Sequence, residues 1–169
     1  LLRANKFINK CSNIILVDAA VSDVDADVAL FINPNGESDN QVHKGANSYE
    51  FKNEKGREMH LVKGITLDNS LSNYCDLNTI KFIKIDTQGH EWYVLNGARN
   101  LFNELDSVAV LCEFAPYLKA WEIVDVSKFF QLILDMNFTV YDSTNLKHGI
   151  VDHTYLEKIH NIILILYFH

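Results

Sequence analysis

Six consecutive residues, Asp86-Thr87-Gln88-Gly89-His90-Glu91, bring two acids, an amide and an imidazole together inside the stretch "KFIKIDTQGHEWYVLNGARNLF". Carboxylates take protons, hold cations or accept several hydrogen bonds, and an amide offers a ligand both a donor and an acceptor. A pocket closed over clustered carboxylates raises the pKa of at least one of them, which suits that group to proton transfer. Each residue also has a plainer reading. Asp86 is also placed to cap a following helix, a role that does not exclude catalysis, and Glu91 in a first helical turn suits the helix dipole by itself. His90 reads as a general base, a metal ligand or a surface residue, and the surface reading is the simplest.

Several elements must position this cluster. The apolar run Ile80 to Asp86 predicts a strand that ends on the first acid. Beyond Gly89, residues Val94, Leu95, Ala98, Leu101 and Phe102 recur with helical spacing and mark one face of a helix. "VAVLCEF" predicts the next strand, with Glu113 near its end. Asp18 directly follows "NIILV", Asn13 to Val17, an expected strand covered on both faces.

The rest of the chain alternates in the same way. Leu1 to Lys10 predicts a helix, Asp25 to Ile32 a strand, and "MHLVKGITL" from Met59 another strand. Leu67 to Tyr74 predicts a short helix with Asp68 available as its cap. Asp125 is positioned to cap a helix whose Val126, Phe129, Phe130, Ile133 and Leu134 form one face, and "FTVYD" and "NIILILYF" predict the last two strands. Between them all, Asn33 to Gly56 is rich in Asn, Gly and Ser with no sustained period. A loop insertion of that length in a compact domain is expected to act as a lid over a ligand site.

Apolar strands alternating with amphipathic helices predict an α/β fold, a three-layer sandwich with a mostly parallel sheet and helices on both faces. Ligands sit outside the carboxyl ends of the strands in such sheets. Asp18, Asp86 and Glu113 are therefore expected to collect along one rim.

Composition narrows the partners. With 169 residues and 48% hydrophobic content, the chain is expected to form one domain over residues 1–169 with a substantial core. A net charge of −7, a pI near 5.4 and no block of Lys or Arg argue against a nucleic-acid interface and favour a neutral or cationic small partner. The three cysteines lack CxxC spacing, and Cys112 inside "VAVLCEF" reads as a small core residue. No metal site is expected, because the histidines form no HxH or HExxH pair. The longest apolar stretch, "IILILYF", is far short of the roughly 20 residues of a membrane helix. No signal peptide is visible either, and the cytoplasm is the expected compartment.

The glycines form no GxG. Either no nucleotide-type cofactor binds or the loop that cradles it lies upstream. The opening "LLRANKFINK", without an initiator Met, reads as a cut within or just before a helix, so a fragment is expected.

Three stretches resemble the FkbM-type methyltransferases, a branch of the S-adenosylmethionine-dependent enzymes with a Rossmann-like fold. "IKFIKIDTQGHEWYVLNGARNLF" is similar to the family's strand-turn-helix, in which Lys-Ile-Asp precedes an acid or amide, Gly, any residue and Glu. "NIILVDAAVSD" is similar to the strand leading into an Ala-Val-Ser turn, and "VAVLCEF" to the strand ending in Glu. The likeness runs from Leu1 to about Glu113 and more loosely through the last strands.

The resemblance implies a class I methyltransferase fold that lacks its first two strands and glycine loop here, and S-adenosylmethionine as cofactor. It also implies an O-methyltransferase acting on a hydroxyl of a small molecule or glycan. Asp18, Ala19 and Ala20 would line the adenine end, Asp86 and Gln88 the reactive end of the cofactor, and Asp86, Glu91 and Glu113 would form the catalytic, acceptor-facing group. Two other classes compete. A non-catalytic binding or scaffold module would account for the missing glycine loop. A nicotinamide-dependent enzyme would need that same loop and leaves "DTQGHE" unexplained.

Overall fold

The computed structural model describes residues 1–34, 40–43, 57–114, 126–156, 158 and 162–168. Two four-stranded sheets organise them. The first has strands β1 (Ala20–Val21), β2 (Asp27–Ile32), β3 (Gln41–His43) and β4 (Glu58–Ile65) in the order β1-β4-β2-β3. Here β4 pairs antiparallel with β2 and parallel with β1, where Ala20 faces Gly64. Gly64 is required for a close approach: a Cβ there would lie 2.3 Å from the Ala26 carbonyl oxygen.

The second sheet has β5 (Phe82–Ile85), β6 (Val108–Phe114), β7 (Phe138–Asp142) and β8 (Ile162–Phe168) in the order β5-β6-β8-β7. Only β5 and β6 run parallel, while β8 lies between β6 and β7 and opposes both. The expectation of a mostly parallel sheet is therefore corrected: among the described residues two strand pairings are parallel and four antiparallel. Apolar content reports how deeply a strand is buried but not its direction, so a run such as "NIILILYF" reads the same either way.

Among the described residues the two faces of the second sheet are covered unequally. Side chains alternate along β6, where Val108, Val110, Cys112 and Phe114 are buried and Ala109, Leu111 and Glu113 are half-buried. Register carries the buried face across the sheet: Cys112 opposes Leu164, which opposes Asp142, and Val110, Leu166 and Val140 form the next row. The other face is more open, with Phe82, Ile163 and Tyr167 exposed.

Helices α3 (Glu91–Asn96), α4 (Arg99–Glu104) and α5 (Val126–Asp135) join the buried face in one apolar cluster. The single helix expected around Val94 to Phe102 is two helices, broken at Gly97 and Ala98. The break follows from contact: a Cβ on Gly97 would lie 2.1 Å from the Ser22 carbonyl oxygen, so the chain turns where the Ser22–Asp23 backbone presses against it. The expected apolar face survives, since Val94, Leu95, Ala98, Leu101 and Phe102 are all buried. On α5, Leu132 takes the buried position and Leu134 is exposed. Asp125, expected as the cap of α5, lies outside the described residues.

Three further elements differ from expectation. The short helix α1 (Leu2–Ile8) forms, but Asn13 to Val17 makes no strand and its Ile14, Ile15 and Val17 are exposed. A strand exists through its ladder, and no described residue pairs with this run. Helix α2 (Leu67–Ser70) is capped by Thr66, whose hydroxyl accepts from the Asn69 amide, rather than by Asp68. Asp68 instead accepts from the Leu101 amide at 2.7 Å, serving the amino end of α4. Of the expected lid, residues 35–39 and 44–56 lie outside the described residues, and Gln41–His43 is strand β3. The last helix, α6 (His153–Leu156), precedes β8.

Candidate active site

Register builds the site. Ile85 of β5 is level with Cys112 of β6 in the parallel pair, so the next residues, Asp86 and Glu113, emerge side by side at the carboxyl ends. Lys84 and Asp86 are two residues apart in extended chain and share a face. Lys84 Nζ donates to Asp86 Oδ2 at 2.6 Å. Gln88 Nε2 donates to Asp86 Oδ1 and to Glu113 Oε2, each at 3.0 Å, and so links the two carboxyl groups.

The loop that aims Gln88 is itself held. Gln88 and Gly89 both have positive φ, 54° and 99°. Glycine adopts this region freely, whereas glutamine does so against a steric cost that surrounding bonds must offset. Glu91 supplies them: its Oε1 accepts from the Thr87 amide at 2.8 Å and the Thr87 hydroxyl at 3.1 Å, and its Oε2 accepts from the Gly89 amide at 3.0 Å. Glu91 is buried, and burial pushes its carboxyl above the usual range, partly offset by those same hydrogen bonds.

His90 is also buried, which corrects the surface reading. Its Nε2 lies 3.0 Å from Ser22 Oγ and its ring stacks on Tyr93. Ser22 is wholly buried and follows directly after β1. The contact fastens the Ala-Val-Ser turn to the Thr87–Glu91 loop.

The two carboxyl groups at the rim differ electrostatically. Glu113 is pushed up to about 7, first by burial and then by its hydrogen bond with Asp86 and the negative charges of Asp86 and Glu91, against an opposing pull from Lys84. Asp86 is held below the usual carboxylate range, chiefly by its bond from Lys84, which with the bonds from Gln88 and Glu113 outweighs burial. One group is thus a settled anion and the other titrates near neutrality. Cys112 matches its expected role as a small core residue: it is fully buried, and burial followed by the neighbouring acids raises its thiol pKa well above the ordinary value.

Asp86, Gln88 and Glu113 therefore come together, and Glu91 stands behind them. Asp18 does not join them: its exposed carboxylate pairs with Arg3 and shares no hydrogen bond with the others. The reason is topological, because Asp18 leads into β1 of the first sheet whereas Asp86 and Glu113 belong to the second. Ala19 and Ala20 are half-buried, two or three residues from the Ser22 contact. Sequence reasoning missed Lys84 and Ser22. The two-residue spacing of Lys84 and Asp86 on a strand was an available signal, whereas nothing local announces Ser22. Among the described residues no group of three or more His, Cys, Asp or Glu could hold a metal ion, and no helix is long and apolar enough to cross a membrane.

Comparison with known proteins returns one finding. A family model described as methyltransferase FkbM domain matches residues 3–140. No curated protein and no solved structure matches the chain.

Proposed function

The chain belongs to the FkbM methyltransferase domain family, and on that premise we propose that it transfers a methyl group from S-adenosylmethionine to a hydroxyl oxygen of a small molecule or glycan. The observation that carries this reading is one amide bonded to two carboxyl groups, Gln88 to Asp86 and Glu113, at the ends of adjacent parallel strands. Sheet ends of this kind are where α/β proteins bind ligands.

The donor set suits a sulfonium ligand. S-adenosylmethionine, when bound, supplies an activated methyl group on a cationic sulfur, and the protein's task is to hold donor and acceptor in line. Asp86, kept ionised, is the proposed anion beside that cation, with Gln88 oriented by the same cluster. Asp18, Ala19 and Ala20 are proposed to line the adenine end, a reading supported by the Ser22–His90 contact that fastens their segment to the loop. Glu91 contributes by fixing the loop that presents Gln88.

Alignment alone is worth up to roughly 7 to 11 kcal/mol for well-oriented reactants. The acceptor hydroxyl loses its proton as the new bond forms, and a carboxylate of the Asp86–Glu113 pair that receives it adds about 10² to 10⁴-fold.

Calorimetric titration of S-adenosylmethionine, followed by transfer of labelled methyl to sugar and small alcohol acceptors, tests the reading. Binding and hydroxyl-dependent turnover are expected, with turnover falling by about 10²-fold or more in Asp86→Ala and Glu113→Ala. Wild-type rates in both variants would remove these roles. Binding with no turnover on any acceptor would favour a binding module.

A further inference from the structure

The rim holds a charged group that the proposed reaction has not yet used, the Lys84 ammonium. Lys84 lies on β5 two residues before Asp86, and its Nζ meets Asp86 Oδ2 at 2.6 Å while Gln88 Nε2 meets Oδ1. Both oxygens of Asp86 thus carry an N–H donor. Among the described residues Glu113 receives a single N–H, that of Gln88. Donors aimed at a carboxylate stabilise its ionised form and weaken it as a base, so the two groups are made unequal by where the donors sit.

We propose that Lys84 is a positioning residue that fixes the division of labour at the rim, holding Asp86 as the permanent anion and leaving Glu113 as the carboxylate that receives the acceptor's proton. The inference rests on the methyltransferase reading and deepens it. In the step, the acceptor oxygen forms a bond to the methyl carbon, the carbon–sulfur bond breaks with its electron pair passing to sulfur, and the hydroxyl proton passes to Glu113.

The surroundings of Glu113 agree. Lys84 faces it from β5, Asp86 from the strand end, Glu91 from α3, and the neutral Cys112 precedes it on β6. On the other side β8 brings the uncharged Ile163 opposite Glu113. Lys84 is the cation that acts on both members of the pair, and its pull on Glu113 ranks behind its bond to Asp86. Burial and the neighbouring negative charges keep Glu113 near neutrality, where a base exchanges protons most usefully.

The decisive measurement does not need turnover. Carboxyl-carbon NMR titration of the chain without cofactor follows Asp86 and Glu113 separately, in wild type, Lys84→Met and Lys84→Arg. In wild type, Asp86 is expected to titrate wholly in the lower step and Glu113 in the step near 7.

Lys84→Met is expected to bring Asp86 into part of the upper step and to move that step up by about one pH unit, the low end of what a neighbouring opposite charge contributes. Lys84→Arg should restore the wild-type pattern. In methyl transfer, the acid limb of the pH–rate profile should move alkaline with Lys84→Met and return with Lys84→Arg. Identical titration of both carbons in wild type and Lys84→Met would overturn the proposal. Absence of methyl transfer in every form would instead overturn the function reading, while the titration still decides the role of Lys84.

Discussion

His90 Nε2 lies 3.0 Å from Ser22 Oγ although the two residues are 68 positions apart, and both side chains are buried. A residue of the loop between β5 and α3 is thereby fastened to the turn that leaves β1, which joins the two sheets beside the carboxyl rim. Removing one partner of a buried hydrogen bond costs the desolvation of the other. Ser22→Ala is therefore expected to lower stability by about 1–3 kcal/mol, read as a reduced urea midpoint with unchanged slope.

Gly97 makes the same junction from the helix side. A methyl group there would meet the Ser22 carbonyl oxygen at 2.1 Å and the Asp23 Cα at 2.9 Å, both backbone atoms that cannot rotate away. Gly97→Ala is expected to destabilise by about 1–3 kcal/mol despite the better helix propensity of alanine. Thermal unfolding measures it, and an unchanged or raised midpoint would contradict the packing described.

Glu91 has all its bonding directed at the loop. Glutamine preserves its size but turns one accepting oxygen into a donor, so either the Thr87 or the Gly89 amide loses its partner. Hydrogen bonds to charged groups are worth about 1.5–3 kcal/mol, and Glu91→Gln is expected to open the loop by a comparable amount. Hydrogen exchange at Thr87 and Gly89 should accelerate accordingly, with methyl transfer falling alongside because Gln88 is no longer held.

The pH dependence follows from Glu113. Its carboxyl ionises near 4.5 in the unfolded chain and at about 7 in the folded one, so between those values the folded state binds more protons. Its contribution to stability is fully present below about 4.5 and is lost as pH rises through about 7. Solvent reaches the group, which keeps the effect below the full linkage value. Glu113→Gln is expected to flatten this decline, and denaturant midpoints measured across the interval would show it.

Asp68 offers a test of long-range capping. It sits in α2 yet accepts from the Leu101 amide and the Asn100 side chain. Asp68→Ala should cost about 1 kcal/mol, as for an ordinary helix cap. The loss is expected to appear as faster hydrogen exchange in α4 rather than in α2, whose own cap is Thr66.

Much of the rim was legible from local pattern. The run ending at Asp86, the strand ending at Glu113 and the intervening polar turn are each written in adjacent residues, and parallel pairing of β5 with β6 then brings the acids together. The period of Val94, Leu95, Ala98, Leu101 and Phe102 identified the buried face correctly, even though the helix is broken, because burial follows side-chain spacing while helix continuity depends on what presses against Gly97. His90 shows the opposite case. An imidazole in a polar turn carries no sign of its depth, and only the arrival of Ser22 and Tyr93 makes it a buried pin.

By itself, the sequence determined the strands at the rim, the identity of the acids on it and the family to which they belong, since these depend on residue type and short spacing. The tertiary structure decided strand direction, the separation of Asp18 from Asp86 and Glu113, and the inequality of the two carboxyl groups. Strand direction and the place of Asp18 come from segments far apart in the chain, such as β8 between β6 and β7, while the inequality adds to the local Lys84–Asp86 bond the burial of Glu113 and the reach of Gln88 across to it. Local pattern carries no record of such distant partners, because their effect arises only when folding removes the water between them.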